Sequence, residues 1–150
     1  YLDEKSPSAV AKFTDRVKFL ADECGANGVK LLLETGQETA DDLVRFLGTV
    51  KNVWVNFDPA NMILYAKGEP MKAVEILYPW IRQVHIKDAM LTKVPGTWGT
   101  EVPWGEGQVG GDCFVAKLER LGYKGNYVVE RESGSQRADD IKLAVERLVK

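Results

Sequence analysis

Four short segments each deliver an ionisable residue at the end of an apolar run: Glu34 in LLLETG, Asp58 in VNFDPAN, His85 in VHIKD and Glu130 in VVERE. The runs are rich in aliphatic, β-branched and aromatic residues, the composition of buried strands. Side chains alternate faces along a strand. Leu32 and Glu34 therefore share a face, as do Trp54, Asn56 and Asp58, then Gln83 and His85, then Val128 and Glu130. Parallel strands of one sheet would bring three carboxylates and an imidazole to one point at their carboxyl ends, the edge where α/β sheets and barrels place their active sites. Carboxylates crowded in this way repel and titrate upward unless a cation neutralises them, so the pattern predicts a bound divalent metal. Oxygen-rich ligation with one imidazole suits Mn²⁺, Mg²⁺ or Co²⁺, and Zn²⁺ is acceptable.

The elements that must position these residues alternate between helix and strand. Ser6 and Pro7 read as an N-cap with proline at the first helical position, and Val10, Phe13, Val17, Leu20 and Cys24 recur at helical spacing up to Gly25. VKLLLETG reads as a strand buried on both faces. Thr39 and Asp42 form a capping-box pattern ahead of a helix through Leu43, Phe46 and Leu47. NVWVNFDP is the second strand, stopping at Pro59, and Pro70 to Trp80 carries a helical pattern in Met71, Val74, Ile76 and Leu77. IRQVHIKDA is the third strand. A long Gly/Pro/Trp-rich loop from Leu91 to Gly111 leads to Asp112, read as the cap of a helix through Phe114, Leu118 and Leu121. NYVVERE is the fourth strand, and Asp139 to Lys150 closes the chain as a helix with Ile141, Ala144, Val145 and Leu148 on one stripe. One helix followed by four strand–helix units predicts an α/β fold of parallel strands with right-handed crossovers, either an open doubly wound sheet or a (βα) barrel.

Bulk properties bound the function classes. At 150 residues, with 45% apolar and 28% charged residues, the chain is expected to form a single globular domain over residues 1–150. The net charge of −2 is scattered, without a basic block to track a phosphate backbone, so nucleic acid is not the expected partner. No run is long and apolar enough for a membrane span and YLDEKSPS lacks signal-peptide features, which predicts a cytoplasmic protein without membrane attachment. Cys24 and Cys113 lack metal-type spacing and are expected as reduced thiols. Gly105, Gly107 and Gly110 match GxGxxG, but they follow Pro103 and Trp104 in a loop rather than a strand, which excludes a dinucleotide site. The chain starts at Tyr1 and enters a helix almost at once, as a trimmed or internal piece would.

The strings LLLETG, FDPAN, HIKDA, PWGEG and VVERE resemble the signatures of the sugar phosphate isomerase/epimerase family of xylose isomerase-like TIM barrels, which includes D-tagatose 3-epimerase and inosose dehydratase. The resemblance runs from about Ser6 to Lys150. It implies a half-barrel, strands five to eight, with Glu34, Asp58, His85 and Glu130 as ligands to one metal. It further implies a divalent-metal-dependent sugar or sugar phosphate isomerase/epimerase. Glu34 and Glu130 would flank the substrate as base and acid while an enediolate forms next to the carbonyl. The same constellation would serve a dehydratase of the inosose type, and a non-catalytic half-barrel fragment that needs a partner would retain it too. A zinc endonuclease on this fold would need many histidines, and the chain has one.

Around this set, Asn61 stands where ketose-epimerase relatives often carry a histidine, and Leu91 about where they carry a substrate-binding arginine. Lys87 shares a face with His85 and is placed to reach a substrate hydroxyl or phosphate. Glu106 in PWGEG either orients a metal ligand or faces water. Trp98 and Trp104 either cover a sugar ring or anchor their own loop. Substrate contacts are therefore expected from Asn61, Lys87, Glu106 and Trp104, and the partner is expected to be a small sugar or polyol. Four strands cannot close a barrel, so a homodimer or a complementing half-barrel chain is also expected.

Overall fold

The computed structural model describes residues 6–149. In chain order the elements are α1 (Pro7–Ala26), β1 (Leu31–Glu34), α2 (Ala40–Leu47), β2 (Val53–Phe57), α3 (Pro59–Leu64), α4 (Pro70–Leu77), β3 (Ile81–Ile86), β4 (Asp88–Met90), β5 (Thr100–Val102), α5 (Gly111–Arg120), β6 (Asn126–Val129) and α6 (Arg137–Leu148). The four strands expected from the sequence form one parallel sheet in the order β1-β2-β3-β6, and helices follow them as in half of a (βα) barrel. Among the described residues no helix is long and apolar enough to cross a membrane. Both cysteines are free thiols.

Strand alternation splits the sheet into two chemically different faces. On one, Val55, Phe57, Val84 and Ile86 are fully buried, sharing a core with Val74, Leu77, Phe114 and Leu118 from α4 and α5. The Phe57 and Phe114 rings stack at 6.0 Å between centroids. Truncating either aromatic to alanine would cost about 3–5 kcal/mol by loss of contacts and cavity formation. The other face carries Trp54, Asn56, Gln83 and His85. The register pairs Glu34 with Asn56, Asn56 with Gln83 and His85 with Val128, so the polar side chains rise in steps toward the carboxyl ends. Low on this face the Arg82 guanidinium lies 3.8 Å from the Trp54 ring centroid, a cation–π contact.

Helix starts follow local chemistry. Thr39 and Asp42 form the expected capping box, the threonine hydroxyl accepting from the Asp42 amide and the aspartate accepting from the Thr39 amide. Pro7 opens α1 as expected, although the Ser6 hydroxyl makes no capping bond and only its carbonyl accepts from Val10.

The fold departs from the sequence reading at five places. β1 is half-buried rather than buried on both faces, because it is an edge strand. A six-residue helix, α3, begins directly after Asp58, with Pro59 at its first position. The third strand ends at Ile86. Asp88–Met90 turns away and pairs antiparallel with β5, a strand inside the expected loop. Asp112 sits in the first turn of α5, and the cap is Gly110 with φ 88°. On α6, Ala144 is buried but Ile141 and Val145 are exposed, so the expected stripe is only half covered; Lys150 lies outside the described residues.

Asp88 gathers the backbone of the loop. Its carboxylate is fully buried and accepts four backbone amides: Ala89 and Val109 at Oδ1 (2.9 and 3.0 Å), Gly105 and Gly107 at Oδ2 (3.0 and 3.1 Å). The backbone wraps so closely that a Cβ on Gly107 would lie 2.2 Å from Oδ1. Asp88→Ala leaves these amides without their acceptor. It is expected to destabilise the protein by about 4 kcal/mol, given about 1.5–3 kcal/mol for a single hydrogen bond to a charged group and incomplete additivity. Urea unfolding measures this, and an unchanged midpoint would contradict the role.

Candidate metal centre

The four strand-end residues converge. Glu34, Asp58, His85 and Glu130 each offer one atom of a set lying within 4.8 Å of one another. His85 Nδ1 is the hub, 3.3 Å from Glu130 Oε2, 3.6 Å from Asp58 Oδ2 and 3.7 Å from Glu34 Oε1. Asp58 and His85 are buried, whereas Glu34 and Glu130 keep partial access to solvent.

Each carboxylate is fixed by a different device. Thr35 ties β1 to β2 at the site: its hydroxyl donates to the Asp58 carbonyl at 2.9 Å and accepts from the Asp58 amide at 2.8 Å. Asp58 caps α3, Oδ1 accepting from the Asn61 amide at 3.0 Å, which turns Oδ2 toward His85. The Asn61 side-chain amide donates to Glu34 Oε1 at 3.1 Å and to the Thr35 carbonyl at 3.0 Å. Glu130 Oε2 accepts from Lys87 Nζ at 2.8 Å; the same ammonium bonds Glu132 and lies 3.4 Å from Asp58 Oδ2. Behind this row, Arg131 pairs with Glu101 on β5 and Asp140 on α6, each at 2.8 Å, and so pins the segment that carries Glu130.

The electrostatics are those of an over-filled acidic site. Burial pushes the Glu34 carboxyl above its ordinary value, and the charges of Asp58 and Glu130 add to the shift against His85 and Lys87. For His85 burial opposes protonation, yet the facing Asp58, Glu130 and Glu34 carboxylates outweigh it and raise its pKa. Lys87 is buried as well, and Asp58, Glu130 and Glu132 together hold it firmly protonated. One ammonium is thus shared among three carboxylates. Asp58 Oδ2 and His85 Nδ1 are nevertheless buried without a hydrogen-bond partner. Buried polar atoms are rarely left unpaired, and here two face each other across 3.6 Å with further carboxylate oxygens beside them. A donor set of carboxylate oxygens and one imidazole nitrogen gathered within 4.8 Å fits a divalent cation.

Among the other residues singled out in the sequence, Lys87 and Asn61 join the cluster, while Glu106 and Trp104 are engaged elsewhere. Trp104 is buried edge-on against Phe114, with ring centroids 6.4 Å apart, so it anchors its loop. Glu106 is exposed and lies 3.5 Å from Arg147 on α6. Trp98 is exposed and meets Tyr65 edge-on at 5.3 Å. Leu91 is exposed next to the hairpin. A groove of about 1110 Å³ between α1 and α2 reaches Glu34 but not the other three. Sequence reasoning gave no role to Thr35, Asn56, Asp88 or Glu132. For Asn56 and Glu132 a signal existed, since each shares a strand face with a cluster residue two positions away.

Comparison with known proteins places this geometry. A family model described as xylose isomerase-like TIM barrel matches residues 1–150. The chain is similar to a solved xylose isomerase domain protein from Planctomyces limnophilus, with 35% identity and a TM-score of 0.92 over 99% of this chain and 55% of that one. A probable 3-DHS dehydratase from Bacillus anthracis shares the fold at 18% identity and a TM-score of 0.77, over 97% of this chain and 58% of that one. So does a xylose isomerase-like TIM barrel protein from Mycobacterium smegmatis in complex with magnesium, at 24% identity and a TM-score of 0.76, over 99% and 52% of the two chains. No protein of curated function matches the sequence. The chain spans between about half and three-fifths of these solved relatives, and its four-stranded parallel sheet corresponds to half of their barrel. It belongs to the xylose isomerase-like TIM barrel family.

Proposed function

We propose that this chain carries the metal-binding half of a divalent-metal-dependent sugar or sugar phosphate isomerase/epimerase. The observation behind the reading is the pair of buried atoms that make no hydrogen bond, Asp58 Oδ2 and His85 Nδ1, facing the carboxylates of Glu34 and Glu130. Glu34, Asp58, His85 and Glu130 would hold one cation, Mn²⁺, Mg²⁺ or Co²⁺ by their oxygen-rich chemistry, with Zn²⁺ acceptable. When bound, the cation would stabilise negative charge building on a substrate carbonyl oxygen. The same fold, at low identity, carries an L-ribulose 3-epimerase and a D-allulose 3-epimerase solved with D-allulose.

The chain's own residues divide the remaining work. Glu34 and Glu130 form the base and acid pair for moving a proton beside the carbonyl. Both keep partial access to solvent, as a group that exchanges protons with a substrate requires. Asn61 aims Glu34, and Lys87 keeps Glu130 oriented. Lys87 also favours a second reading, a dehydratase, because a buried ammonium beside Glu130 can hydrogen-bond a departing β-hydroxyl. Product analysis separates the two, since a dehydratase releases water.

In assembly, β1 and β6 each have one strand neighbour among the described residues, and Tyr127 and Val128 on β6 are exposed. An open sheet with two bare edges and an uncovered apolar strand invites pairing. Four further strands, from a longer chain, a complementing chain or a second copy, would close the barrel.

Three outcomes are expected. Elemental analysis of gently purified protein should find one divalent ion per chain, with a strong loss in His85→Ala and Glu130→Gln; full occupancy in both variants would remove the ligand assignment. Turnover in D₂O should place deuterium on the carbon next to the substrate carbonyl, and a product free of deuterium would exclude this proton transfer. Light scattering of the 150-residue chain across dilution should show a dimer or larger species, whereas a cooperative monomer at low micromolar concentration would refute the assembly.

A further inference from the structure

Asn56 stands on β2 two residues before Asp58 and is buried, as is His85 on the neighbouring strand. Its side-chain amide meets the imidazole at 2.9 Å, Nδ2 to Nε2. The opposite ring nitrogen, Nδ1, faces Glu34, Asp58 and Glu130. Both nitrogens of the ring are therefore spoken for, one by the proposed cation and one by Asn56.

A neutral imidazole has one lone pair and one N–H, and the partner of one nitrogen decides what the other can do. With the amide nitrogen toward Nε2, the lone pair sits on Nε2 and the proton on Nδ1. That state cannot ligate through Nδ1, and it leaves Asn56 Oδ1 buried with no partner. A half turn of the amide reverses both. Oδ1 then accepts from Nε2–H, the orphan oxygen is satisfied, and the Nδ1 lone pair points at the three carboxylates. Histidine ligands commonly need such an outer acceptor to fix tautomer and ring orientation.

We infer that Asn56 is a positioning residue for the metal centre: through Oδ1 it accepts the Nε2–H of His85 and so selects the tautomer that ligates through Nδ1. The inference rests on the metal reading of the site and goes beyond it, since Asn56 touches neither the cation nor the substrate. Asn56→Leu keeps the size of the side chain and removes the acceptor, while Asn56→Asp restores an oxygen in the same place.

The chain holds a single histidine, so its ring nitrogens give an assignable pair of ¹⁵N signals. In Zn²⁺-loaded protein, the expected spectrum has a metal-shifted Nδ1 and a protonated Nε2 whose hydrogen exchanges slowly with water. Asn56→Leu should lose the slow exchange and weaken Zn²⁺ binding by about 10–100-fold in competition with a chromophoric chelator. Asn56→Asp should keep the slowly exchanging Nε2–H. If wild-type protein binds no Zn²⁺, the metal reading falls and this inference with it. If Zn²⁺ binds but ligates through Nε2, or if Asn56→Leu leaves spectrum and affinity unchanged, the metal reading stands and the role of Asn56 is overturned.

Discussion

Three carboxylates forced to within a few ångströms of one imidazole is the constraint around which this half-barrel is organised. Such a cluster is repulsive unless positive charge is supplied, and its members cannot relax apart because each is held by backbone at the end of a different strand. Asp58 is locked by Thr35 and by capping α3, Glu34 by Asn61, and Glu130 by Lys87. Lys87 supplies one charge. It leaves Asp58 Oδ2 and His85 Nδ1 facing each other without a hydrogen bond, which is the arrangement a cation would complete.

The scaffold reads as support for that cluster. The apolar sheet face, sealed by α4 and α5 over Phe57, Val84 and Ile86, holds the register that lifts the polar residues of the opposite face to the strand ends. Three residues beyond His85 the chain uses a second buried carboxylate for a different purpose: Asp88 gathers four backbone amides, three of them from the loop, and holds PWGEG in place. Two buried acids thirty residues apart thus take opposite solutions. Asp88 spends its lone pairs on the backbone, whereas Asp58 keeps one oxygen unspent.

Much of this was legible in the sequence because it depends on local chemistry. The four cluster residues follow apolar runs, and period-two alternation puts them on one face. The Thr39–Asp42 box marks α2 by composition alone. Other features depend on neighbours that are distant in the chain. LLLE has the composition of a strand buried on both faces, yet β1 lies at the sheet edge. The six residues of α3 are too few to show a helical period behind Pro59, and three-residue β4 and β5 are hidden in glycine- and tryptophan-rich sequence. Of the glycines that mimic a dinucleotide fingerprint, Gly107 leaves room for the Asp88 carboxylate, whereas Gly105 and Gly110 take positive φ. Asn56 was visible on the correct face, but its role needs His85 brought to 2.9 Å by strand pairing.

The central claim is that the cluster is a metal centre rather than a lysine-neutralised acidic patch. Anomalous diffraction from crystals grown with Mn²⁺ separates these directly. The account predicts a single strong peak with oxygens of Glu34, Asp58 and Glu130 and Nδ1 of His85 all within about 2.4 Å of it. A map with no peak there, and Lys87 Nζ still bonded to Glu130, would contradict it.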